Sequence, residues 1–174
     1  MHRTIHLNRT IEFSPAIVWD ALVDDDLVTG WLGDARIDPI VGGRFDLAWL
    51  GSPENSATSG LITVLDQPVR LVIETDVHGV VEFVLTEVNG GPRGTSSAVT
   101  VTVTVDLDAR FEPRVVRMWS EALDQLDALL HGHAVDWGIV AGGPDADEAH
   151  WDVARTAHAR AIRATHPNAI GTAP

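Results

Sequence analysis

The sequence predicts an α+β fold in which a curved antiparallel sheet wraps around a long C-terminal helix. Three observations predict it. Period-two alternation of apolar and polar residues dominates from residue 43 to 106. From about Glu112 to His131 the period changes to three and four, and before residue 43 the chain offers one strand followed by short helical punctuation. One apolar sheet face and one apolar helix stripe make a two-layer core.

The elements follow in chain order. A first strand ends near Phe13, where Ser14 and Pro15 supply an N-cap and a first helical residue whose missing N–H has no intrahelical partner to lose. The short helix after them carries Ile17, Val18 and Trp19 toward the core. Gly42-Gly43 reads as a turn or bulge. In Arg44-Phe45-Asp46-Leu47-Ala48-Trp49 the odd positions are large and apolar. Strands over Leu61–Leu65, Val69–Thr75 and Val80–Val88 follow, with Val69, Leu71 and Ile73 on one face, and Val81, Phe83 and Leu85 likewise. In the run from Val99 to Val105 valines point in and threonines out, both β-branched and suited to a pleated surface. Turns at Asp66-Gln67-Pro68, His78-Gly79 and Asn89 to Gly94 join neighbouring strands, which therefore pair antiparallel. In the last helix Val115, Met118, Trp119, Ala122, Leu123, Leu126, Leu129 and Leu130 form the stripe. Glu121, Asp124 and Asp127 face outward, and Gly132 stops the helix.

Composition bounds the function classes. A chain of 174 residues fits one domain that buries roughly 70% of its unfolded surface and needs no staple. There is no cysteine, which excludes disulfides, thiolate metal sites and a cysteine nucleophile. Twenty-five acidic residues face twelve arginines and no lysine, a formal charge of −13. That field repels phosphate backbones, so nucleic acid is not an expected partner. Residues 1–8 alternate without a continuous apolar stretch and read as no signal peptide, and no apolar run is long enough to span a membrane. The expected location is the cytoplasm.

The run from Phe13 to Leu22, then Asp26-Leu27 through Trp31-Leu32-Gly33, then Val41-Gly42-Gly43-Arg44-Phe45, resembles the Aha-type group, named for homologues of the Hsp ATPase activator, within the START-like SRPBCC superfamily. Gly60-Leu61-Ile62, Pro68 to Leu71, Gly94-Thr95, and Trp119 through Leu130 continue the likeness, which covers residues 3 to about 131. The resemblance implies a helix-grip (START-like, Bet v-like) fold with an apolar cavity between sheet and long helix. The superfamily includes lipid carriers, polyketide cyclases, self-resistance proteins and co-chaperone domains, so it implies a cavity rather than one activity.

The domain is expected to span residues 1–137, followed by a C-terminal extension at 138–174 with a helix at 145–165. Asp145, Asp147 and Glu148 begin that helix and Arg155, Arg160 and Arg163 end it, a polarity that complements the helix dipole. It reads as a helix on the domain's surface, a lid over the cavity, or the arm of a homodimer.

Titratable groups give no catalytic or metal set. His131-Gly132-His133 lacks a defined third ligand and reads as surface, and His150, His158 and His166 lack a carboxylate in register. Glu74 and Glu82 alternate away from the apolar face. Arg9 shares a face with Ile5, Leu7 and Ile11, so it either points inward toward a partner or a ligand carboxylate, or is turned out by a bulge. No cofactor motif is present.

The expected function is therefore binding of an apolar or aromatic small molecule in the interior. Trp19 and Trp119 read as core, while Trp31 and Trp49 offer broad apolar faces suited to a cavity. The expected lining is Trp31, Phe45, Leu47, Trp49, Ile73, Phe83, Val101, Met118, Trp119, Ala122, Leu123 and Leu126. The competing classes are a co-chaperone-like interaction module using the outer sheet face, and a polyketide cyclase or hydrolase using the same cavity.

Overall fold

The computed structural model of the chain describes residues 1–48 and 57–135. Its elements run β1 (His2–Ile11), α1 (Pro15–Val23), α2 (Asp25–Thr29), β2 (Asp34–Ile37), β3 (Phe45–Ala48), β4 (Ala57–Thr58), β5 (Gly60–Asp66), β6 (Arg70–Thr75), β7 (Gly79–Asn89), β8 (Thr95–Asp106) and α3 (Glu112–Leu130). A single 3-10 turn at Ala109–Phe111 leads into α3. Trp49 and the C-terminal extension with its expected helix lie outside the described residues.

Five strands form one antiparallel sheet in the order β1-β8-β7-β6-β5, and β2-β3-β4 form a second, smaller one. The two are linked by an antiparallel bridge between Arg44 and Leu61. The register of β5 against β6 shifts between Ile62 and Val64, an irregularity of the kind that bends a strand. β8 keeps the expected alternation: Val99, Val101 and Val103 are buried while the threonines between them are partly exposed. Val69 departs from it. It precedes β6 and is exposed, so only Leu71 and Ile73 of that trio are buried.

α1 begins at Pro15 as expected, but the Ser14 side chain makes no capping bond. The Ser14 carbonyl accepts from the N–H groups of Ile17 and Val18 instead, at 3.0 and 3.1 Å. Val18 and Trp19 are buried, whereas Ile17 is exposed. Successive helical residues are about 100° apart, so three in a row do not share one face.

α3 lays Trp119, Ala122, Leu123 and Leu126 against the large sheet, and these merge with the strand residues into one apolar core. Each fully buried leucine of this kind contributes about 1.5–3 kcal/mol. The helix ends where Gly132 takes a φ of +88°, its N–H bonded to the Leu129 carbonyl at 2.9 Å. Arg9 points inward along β1 with no outward bulge. Its guanidinium meets Asp124 at 2.8 Å and the Ser120 carbonyl and hydroxyl at 3.4 Å, tying the first strand to the last helix.

Candidate functional site

The turn between β6 and β7 organises the interior's polar groups. Gly79 has a φ of +70°, and a Cβ there would lie 2.2 Å from the Thr104 carbonyl oxygen. Only glycine lets the turn back onto β8 this closely. The Thr75 hydroxyl accepts from the His78 N–H and donates to the Gly79 carbonyl, both at 2.9 Å, which fixes the turn. The Asp76 N–H donates to the Ser59 carbonyl at 3.1 Å, and the Ser59 N–H donates to the Asp76 carboxylate at 3.0 Å. This reciprocal pair holds the β4–β5 corner beside the turn, so Thr58 comes next to Thr75 and His78.

These three side chains, with Leu32, Phe45, Leu47, Ile73, Val81, Phe83 and Trp119, line a pocket between the sheet and α3. Phe83 and Trp119 meet edge to face, with centroids 5.9 Å apart and planes at 69°, the arrangement that aromatic quadrupoles favour. The free volume inside is about 20 Å³, room for about one water molecule.

Phe45, Leu47, Ile73, Phe83 and Trp119 of the expected lining meet at this pocket. Val101, Ala122, Leu123 and Leu126 are buried in the core, and Met118 packs against it partly buried, but none of them lines the pocket. Trp31 is also buried elsewhere: its indole N–H donates to the Ala21 carbonyl at 2.8 Å, which pins the ring beneath α1 and gives the pocket wall to its neighbour Leu32. Alternation along the strands picked out the inward residues, while Thr58, Thr75 and His78 lie at strand ends and in a turn where no period applies. Asp46 is a further departure. It alternates between Phe45 and Leu47 and so belongs outside, yet it is wholly buried, because all four residues of β3 are covered.

A second, larger cleft of about 270 Å³ opens between the end of β8 and the start of α3. Val103 and Val105 form its floor, Val77, Leu107, Phe111 and Val115 its apolar walls, and Asp106 and Arg114 its charged rim. His78 lines both spaces. Burial holds its imidazole below the usual histidine range, against the opposing pull of the Asp76 charge. Glu74 is exposed, and Glu82 pairs with Arg70 at 2.6 Å; both sit on the face opposite the apolar row. His131 closes the far end of α3, stacked edge-on against Phe13 at 5.1 Å with its Nδ1 2.8 Å from the Asp127 carbonyl oxygen. No helix among the described residues is long and apolar enough to cross a membrane.

An antiparallel sheet closed over a long C-terminal helix defines an α+β helix-grip domain of the START-like class. Residues 12–131 match the family model described as activator of Hsp90 ATPase homolog 1-like protein, and the chain belongs to that family. Among solved structures it is similar to a Mesorhizobium loti protein at 21% identity, covering 76% of this chain and 100% of the other with a TM-score of 0.60. It is likewise similar to a Staphylococcus aureus protein of unknown function at 15% identity, covering 76% and 95% with a TM-score of 0.62. An AHSA1-like protein from Aeromonas hydrophila matches at 24% identity, covering 75% and 93% with a TM-score of 0.55. No curated protein matches the chain.

Proposed function

We propose that the chain binds an apolar or aromatic small molecule between its large sheet and α3, with Phe45, Leu47, Ile73, Phe83 and Trp119 as walls. One observation carries this reading. An internal pocket between the large sheet and α3 is walled by Leu32, Phe45, Leu47, Ile73, Val81, Phe83 and Trp119, a concave, apolar and aromatic lining of the kind that holds the body of a small apolar ligand. The free volume of about 20 Å³ is far below the roughly 300 Å³ at which small-molecule pockets begin. A ligand therefore enters by displacing wall side chains, and His78 is the one with a second cavity behind it.

The tight interior favours a second reading, a co-chaperone-like module that meets a protein partner through its outer sheet face. A neutral polarity-sensitive dye such as Nile red separates the two. In the cavity reading it binds with roughly micromolar affinity, about −8 kcal/mol, and changes tryptophan emission through Trp119. Ile73→Phe, which fills the pocket, weakens the dye at least about tenfold, because adding atoms to a packed interior is resisted. Val84→Phe, on the opposite face of β7, leaves it unchanged. A parent protein that does not bind the dye removes the cavity reading and leaves the interaction module.

A further inference from the structure

The cleft behind His78 carries a charge pattern that names a class of ligand. Asp106, on its rim, is hydrogen-bonded to the N-terminal ammonium, which also holds its carboxyl below the usual range. Glu112, at the start of α3, pairs with Arg3 at 3.4 Å. Asp108, between them, lies 3.8 Å from Arg110, so the carboxylates closest in sequence to the cleft's charged edge are all engaged. Arg114 is not: among the described residues Arg3, Arg9, Arg44, Arg70, Arg110 and Arg117 each have an acidic partner, and of the three described arginines without one, Arg36, Arg93 and Arg114, only Arg114 lines the cleft. An arginine fork without a counter-charge stands on the rim of an apolar cleft whose wall residue Phe111 is 46% exposed.

We propose that this cleft is the entrance to the interior pocket and that the ligand is an amphipathic monocarboxylic acid, its carboxylate on Arg114, its apolar body against Val105 and Phe111, and its far end passing His78. The proposal rests on the cavity reading above and adds ligand class and route. A guanidinium matches a carboxylate with two parallel N–H donors. The chain's overall charge of −13 opposes more highly charged anions such as phosphate esters, so one negative charge on an apolar body fits best. The cleft's volume of about 270 Å³ is close to the lower end of small-ligand sites, about 300 Å³. His78, held neutral by burial, puts no competing cation in the passage.

Displacement of Nile red from the full chain by decanoate, decanol and decylamine tests this. Decanoate should displace the dye at a concentration about fivefold lower than decanol, the preference that one exposed charge pair supplies, and decylamine should be weakest. Arg114→Gln should erase the difference between acid and alcohol while leaving decanol unchanged. Arg117→Gln makes the same change of net charge on α3 at a residue already paired with Glu121, and should keep the difference. His78→Ala should speed dye association severalfold, because it removes the wall shared by the two spaces. Equal displacement by decanoate and decanol in the parent, or an undiminished preference in Arg114→Gln, overturns the acid assignment even though the pocket itself binds. An unchanged association rate in His78→Ala overturns the route. A parent that binds no dye overturns this proposal and the cavity reading together.

Discussion

The two ends of α3 live in different surroundings. Around its C-terminal half, Phe13, Trp19, Trp31, Leu123 and Leu126 are all buried, and α1 and α2 close that end like a plug. Around its N-terminal half, Val115 and Met118 are only partly buried, Phe111 and Val116 are exposed, and the cleft and pocket open there. The same helix is thus a structural anchor at one end and the wall of a cavity at the other. The difference arises because α1 and α2 cover one end of α3, whereas the cleft lies along the other.

Substitutions break or sharpen that contrast. The largest effects belong to the plugged end: Leu123→Ala and Leu126→Ala should each destabilise the fold by about 2–5 kcal/mol, since both leave a cavity in a close-packed region. Val115→Ala, at the open end, should cost less than about 1.5 kcal/mol, near the low end for trimming a buried aliphatic group. Chemical denaturation of the three variants measures the difference, and equal losses would mean that the two halves of α3 are packed alike.

A smaller effect concerns pH. Burial lowers the pKa of His78 from 6.5 in the folded state, so the unfolded chain binds more protons in the window below 6.5. Stability is then full above that value and falls as the pH drops through the window, flattening once the folded-state histidine also protonates. His78→Gln should remove that part of the slope between neutral pH and about 5, the lower end of the range over which histidines commonly titrate. Denaturation midpoints across the range check it, and an unaltered slope would place the titration elsewhere.

Much of this was legible in the chain itself. The valine–threonine run of β8 and the stripe of α3 each repeat a period long enough to fix which face is buried, and Gly132 marked the end of the helix. Strands β2 and β4 were not legible, because four and two residues are too short for any period to declare itself. Trp31 was misleading for a different reason. A broad apolar ring suits a cavity or a core equally, and what decided was a hydrogen bond to Ala21 that depends on how α1 lies over α2. Thr58, Thr75 and His78 stayed hidden as pocket residues because Thr75 and His78 are tied together only within a turn, and Thr58 is brought to them by the distant Ser59–Asp76 pair. Asp46 fails by the same logic: alternation presumes one wet face, and β3 has none.

The sheet's strand order has a kinetic consequence. Strands β5 to β8 are consecutive neighbours that zip up through short connections, whereas β1 pairs His2 with Asp106 and Ile11 with Ser97 across nearly the whole domain. Closing so large a loop is entropically slow and is rewarded only after β8 exists. The first strand synthesised should therefore be the last to dock, with the Arg9–Asp124 clasp made on arrival. In a chevron experiment Ile5→Val should accelerate unfolding and leave the refolding rate nearly unchanged. The reverse pattern would put β1 in the folding nucleus.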